Sequence, residues 1–205
     1  MKTLSRVQRG LESLYRVDTG VEVGDYVVGA QVRDDLVDAR RPREQLLVVE
    51  SDGEMNLALY IDPEVIGRLD SRAHDFQDLL FAVEGVSHFI FTVWCAQHDR
   101  PVSQVELELQ AEVDKYVTCL LITEPEVGRS TALRRRLFGN AEYELDLDDD
   151  EHDRYRAAND NAERYAAYLE DAFVARRRIP EMFGELRRFY RHGLAQKLST
   201  IARAA

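Results

Sequence analysis

Leu4, Val7, Leu11 and Leu14 recur every three or four residues, which predicts an amphipathic helix from the start of the chain to about Tyr15. Gly20 and Gly24 then break the pattern, and Tyr26-Val27-Val28-Gly29-Ala30-Gln31-Val32 reads as a strand. A charged loop containing Pro42 follows. Two apolar runs, Leu46–Val49 and Leu57–Ile61, flank Ser51-Asp52-Gly53-Glu54. An Asp-Gly pair between apolar runs is a strong hairpin signal, because glycine accepts the positive φ that a tight turn needs. Strands are therefore expected at 45–50 and 55–61. Asp62-Pro63 has the form of an N-cap followed by proline in the first helical position, so a short helix is expected to about Leu69.

The second half of the chain reads as helix. The stretch from Asp75 to about Gln97 is the most apolar, and His98-Asp99-Arg100-Pro101 interrupts it. Helix resumes from about Val102 to Ile122, with Val105, Leu109, Val113, Tyr116, Val117 and Leu120 on one stripe. Two helices joined by so short a connection are expected to pack antiparallel. A short helix carrying Arg134, Arg135 and Arg136 closes at Gly139-Asn140, and the acidic run 142–153 follows. A further helix is marked by Tyr155, Ala158, Ala162, Tyr165 and Leu169. Pro180 interrupts it before a last helix with Met182, Leu186, Phe189, Leu194 and Ile201 inward. The expected fold class is α+β: mostly helical, an antiparallel helix hairpin with a small N-terminal antiparallel β-meander. One domain over 1–205 is expected. The alternative is a division near 140, into 1–140 and a helical segment 141–205.

Composition narrows the function classes. The chain has 205 residues, 45% apolar and 32% charged, the balance of a folded chain able to bury a core. A net charge of −11 disfavours general binding to nucleic acid or anionic lipid. Cys95 and Cys119 sit in apolar helical surroundings and read as small hydrophobes, not as a disulfide framework. Leu79–Ala96 approaches the length of a membrane span, but Glu84 and His88 near its middle make it a buried core helix. The first six residues contain no continuous apolar run, so no signal peptide is expected and the cytoplasm is the expected compartment.

No phosphate-binding glycine loop, dinucleotide fingerprint, HExxH or GxSxG occurs. The acidic run fails as a calcium loop, because Glu151 stands where glycine is required and Ala157 where the bidentate glutamate belongs.

Two constellations carry chemistry. Glu84 and His88 are four residues apart and share a helical face. In so apolar a helix they are expected to be partly buried, which demands a partner for each. Glu108 and Glu112 share a face on the next helix, and a fold-back about Arg100 would bring Glu112 level with His88. One reading is a satisfied buried polar centre of Glu84, His88 and Glu112. The other is a divalent-metal site of Glu84, His88, Glu108 and Glu112. The second constellation is basic. Arg187, Arg188 and Arg191 lie opposite the apolar stripe of the last helix and could bind an anion, an acidic partner or the acidic run itself. Phe189 and Tyr190 fall on the apolar stripe, so no stacking platform for RNA is visible.

The expected function is a non-enzymatic regulatory or protein-interaction module, working as a homo-oligomer or with a protein partner, away from membranes and nucleic acid. A metal-dependent hydrolase or metal-binding protein is the alternative, and RNA binding through the basic C-terminal helix a weaker one.

Overall fold

The computed structural model describes residues 1–36, 43–51, 54–71, 75–139 and 149–204. The Asp52-Gly53 turn and most of the acidic run 142–153 lie outside the described residues. The fold is a mostly helical α+β fold with one small sheet. The chain divides into two compact units: Met1–Ser13 with Val17–Trp94, and Leu14–Arg16 with Cys95–Ala205.

The first unit opens on α1 (Lys2–Tyr15), which buries Leu4 and Leu11 as its apolar period requires. Gln8 is buried on the same face. Its amide nitrogen donates to the Val21 carbonyl at 2.6 Å and its oxygen accepts from the Val23 amide at 2.8 Å, which ties down the loop after the helix. A 3-10 turn (Val23–Tyr26) leads to β1 (Val27–Val28) and then to α2 (Ala30–Leu36). The strand expected over 26–32 is therefore only two residues long. Ala30, Gln31 and Arg33 favour helix once Gly29 releases the chain. Arg33 is buried with its guanidinium 4.1 Å from the Tyr60 ring centre, where it also bonds Asp34, and this anchors the short helix.

β2 (Glu44–Ser51) and β3 (Glu54–Ile61) pair antiparallel in a register that runs from Glu44↔Ile61 to Ser51↔Glu54, as the hairpin signal requires. The sheet order is β1-β3-β2, and β1 runs parallel to β3 through Val27↔Leu59 and Val28↔Tyr60. The sheet is thus mixed, where an all-antiparallel meander was expected, because α2 intervenes between the first two strands. Leu59, Tyr60 and Ile61 are all buried, the mark of a central strand covered on both faces. After Ile61, Asp62 accepts from the Glu64 amide at 2.9 Å and opens α3 (Pro63–Ser71). From α3, Arg68 reaches Asp78 at 2.7 Å, at the start of α4 (Phe76–Gln97). By length and a mean hydropathy of 1.6, α4 could cross a membrane, but 78% of that window is buried as core.

The second unit holds α5 (Gln104–Ile122), α6 (Val127–Phe138), α7 (Asp149–Leu169), a π-helical turn (Glu170–Val174), α8 (Ile179–Arg191) and α9 (Leu194–Ala204). Ser103 caps α5 by accepting from the Glu106 amide at 3.3 Å. Pro180 sits in the first turn of α8, the helical position that tolerates it. α5 is the hub. It packs on α6 and α7, and it buries Leu109, Val113, Tyr116, Val117 and Leu120 together with Glu106, Gln110 and Asp114.

Candidate functional site

Glu106, Gln110 and Asp114 follow one another at four-residue spacing, so they form a polar stripe along one face of α5. All three are buried. Three elements meet this stripe within the second unit. From α9, the Lys197 ammonium donates to Gln110 Oε1 at 2.8 Å and lies 3.4 Å from Glu106 Oε1. From the segment after α4, Arg100 bonds Glu106 and also donates to the His192 carbonyl at 2.7 Å. From the end of α1, the Tyr15 hydroxyl bonds Asp114. Gln110 Nε2 closes the chain, donating to Asp114 Oδ1 at 3.0 Å and to the Tyr15 oxygen at 3.2 Å. Reversing the Gln110 amide would turn its NH2 toward an ammonium that has nothing to accept with, so the network fixes its orientation.

Aromatic rings enclose this centre. Tyr15 stacks on Tyr190 with ring centres 4.1 Å apart, and Lys197 Nζ lies 5.3 Å from the centre of the Phe189 ring. Lys197 has no exposed surface. Burial pulls its ammonium down to about 8, against the opposing pull of the Glu106 carboxylate. Burial and then Asp114 push the Tyr15 phenol well above its ordinary value. The arrangement ties α9, α5 and the end of α1 to one another and selects one packing of these helices.

A second polar centre lies on another face of α5. The Tyr116 and Ser130 hydroxyls are 2.7 Å apart. Glu170, the first residue of the π-helical turn, accepts from Thr131 at 3.0 Å and from Arg134 at 3.3 Å. Burial would raise the Glu170 carboxyl, but hydrogen bonds from Ser130, Arg134 and Thr131 outweigh it and hold the group low. Burial pushes the Tyr116 phenol up to about 12.

The residues singled out from the sequence are placed as follows. His88 is buried, and its Nδ1 lies 3.5 Å from Glu44 Oε1 of β2, a partner the helix pattern does not reveal. Glu44 fits there because Gly85 leaves room: a Cβ on Gly85 would come within 2.9 Å of Glu44 Cγ. Glu84 is half-buried in the same helix. In the second unit Glu108 and Glu112 are half-buried, and Glu112 accepts from Lys115 at 2.6 Å. Among the described residues, no group of three or more His, Cys, Asp or Glu side chains is gathered to hold a metal ion. Two of the three α8 arginines cap a helix end. Arg187 donates to the Leu14 carbonyl at 2.8 Å and Arg191 to the Arg16 carbonyl at 3.2 Å, where α1 leaves its last carbonyls without intrahelical donors. Arg188 pairs along its own helix with Glu185.

Lys197, Glu106, Gln110, Asp114 and Tyr15 were not singled out by the sequence reading. The four-residue polar spacing inside α5 was the available signal, but it runs beside the apolar stripe and reads as the helix's wet side. Lys197 reads as one more member of the basic C-terminal run.

The fold is mostly helical α+β, and within the second unit α5 carries two buried polar centres. No protein-family model matches the chain, and no curated protein and no solved structure matches it.

Proposed function

We propose that the chain is a non-enzymatic protein-interaction module that assembles with copies of itself. The observation that carries this reading is on β2. Val48 and Val49 are adjacent, 44% and 47% exposed, on a strand that among the described residues pairs along one edge only. Adjacent strand residues point to opposite faces of the sheet, so the ribbon presents valine on both sides. A bare apolar edge is a template for strand addition, and soluble chains ordinarily cover or charge such edges. The polar centre on α5 supports the same reading, since Glu106, Asp114 and Lys197 are buried and spent on bonds within the unit.

Sedimentation velocity on the full chain tests the proposal. The expected result is a weight-average sedimentation coefficient that rises with concentration from about 1 to 200 µM, the range of a weak pair. Because each copy carries −11, association should strengthen as salt is raised from about 0.05 to 0.5 M and repulsion is screened. A single monomeric species at every concentration and salt overturns it.

A further inference from the structure

We propose that β2 of one copy adds antiparallel to β2 of a second copy, joining the two β1-β3-β2 sheets into one six-stranded sheet across a two-fold axis. The inference rests on the self-association reading above and names its surface and geometry.

The argument starts with hydrogen bonding. In an antiparallel ladder only alternate residues of a strand bond to a given neighbour, so half of the β2 amides and carbonyls face away from β3. Among the described residues no strand takes them up. An occupant must therefore be an extended backbone, which excludes a helix or a compact ligand.

Charge and shape then select among extended partners. Gln45, Leu46, Leu47, Val48 and Val49 form a run of five residues without a charge, although 32% of the chain is charged. Glu44, at the head of the strand, is turned in toward His88 and its side chain is only 8% exposed. The partner strand must be equally free of charge over that length. β3 is uncharged from Met55 to Ile61 but already pairs along both edges, with β1 and β2, so among the described strands β2 is the one of that length left to meet it. The strand is also close to symmetric in composition. Its four central residues are Leu46, Leu47, Val48 and Val49, with Glu44 and Gln45 before them and Glu50 and Ser51 after. A two-fold axis at Val48 therefore lays Val48 on Val48 and Leu47 on Val49, and sets each Glu50 opposite Leu46 instead of opposite another carboxylate. Cross-strand pairs of aliphatic side chains are the unit that stabilises a sheet. A parallel, in-register pairing lacks the two-fold axis of a closed dimer and would set like residues, Glu50 on Glu50 included, side by side.

The size of the contact sets its strength. Eight residues extend about 27 Å, and a strip about 10 Å wide along them covers about 270 Å² per copy. That is about a third of the ~800 Å² per partner in a standard stable interface. The pairing is therefore a weak, concentration-dependent dimer, not an obligate one.

Three variants test the placement. Val48→Lys adds a charge at an exposed position near the axis. It should raise the dimer dissociation constant at least tenfold in sedimentation, while circular dichroism and melting temperature stay those of the parent. Val48→Cys should form an interchain disulfide under mild oxidation, since Cys95 and Cys119 are buried. Gln45→Cys should not, because antiparallel pairing about Val48 holds the two copies of that position about 20 Å apart. Self-association that persists in Val48→Lys, or crosslinking by Gln45→Cys, overturns the strand pairing and leaves the interaction module standing. A parent that never self-associates overturns both. Should Val48→Lys fail to fold, the two cysteine variants decide the question alone.

Discussion

Replacing Lys197 by methionine tests the buried centre through its pH dependence. The side chain keeps its length and loses its charge. In the unfolded chain the ammonium titrates near its ordinary value of 10.5; in the folded protein burial brings it to about 8. Between those two values the unfolded state binds more protons, so this residue makes stability climb as pH rises. Below about 8 both states hold the proton and the desolvation penalty is present in full. At 1.36 kcal/mol per decade, the gap between the two values amounts to about 3 kcal/mol, most of which is recovered between pH 7 and pH 10. The raw stability curve will not show this cleanly. Tyr15 and Tyr165 titrate well above their ordinary value when folded, so the unfolded state loses their protons first and stability falls above about pH 10. The difference between the parent and Lys197→Met cancels those groups. Urea titrations followed by far-ultraviolet circular dichroism at pH 7, 8, 9 and 10 should show the parent gaining about 2 to 3 kcal/mol on the variant across that range. A difference that stays constant to within about 0.5 kcal/mol would refute the reasoning. It would mean that Glu106 and Gln110 compensate the buried ammonium completely.

Two further outcomes follow from packing. Gly85→Ala should destabilise the first unit by about 1–3 kcal/mol in urea titration, the usual cost of overfilling a close contact, because the new Cβ meets Glu44 Cγ at 2.9 Å and Leu59 Cδ1 at 3.1 Å; no loss would mean that Glu44 moves aside freely. Asp114→Ala should cost about 2–4 kcal/mol, since it strands the buried Tyr15 hydroxyl and one hydrogen of the Gln110 amide. Tyr15→Phe, which removes the facing hydroxyl as well, should restore part of that loss in a double-mutant cycle, and strict additivity of the two changes would show that they do not share a network.

What the sequence by itself determined is local. The period of Leu4, Leu11 and Leu14 specified α1. The apolar runs on either side of the Asp-Gly pair indicated that β2 and β3 pair, and Asp62-Pro63 indicated the start of α3. Each of these signals is contained within a few residues, where backbone geometry and capping act alone. Tertiary structure decided the pairings. Val27 and Val28 pair with β3 while Ala30–Leu36 is helical, because Arg33 finds the Tyr60 ring and a partner in Asp34. His88 was legible as a buried group in need of a partner, but Glu44, 44 positions earlier, is brought to it only by the sheet. The α5 centre shows the same limit. Glu106, Gln110 and Asp114 look like a solvated face until α9 and the end of α1 cover them, and Lys197 looks like a surface charge until it lies against that face. Burial of a polar side chain depends on which elements close over it. That is set by the sum of many distant apolar contacts, and no local pattern of residues encodes it.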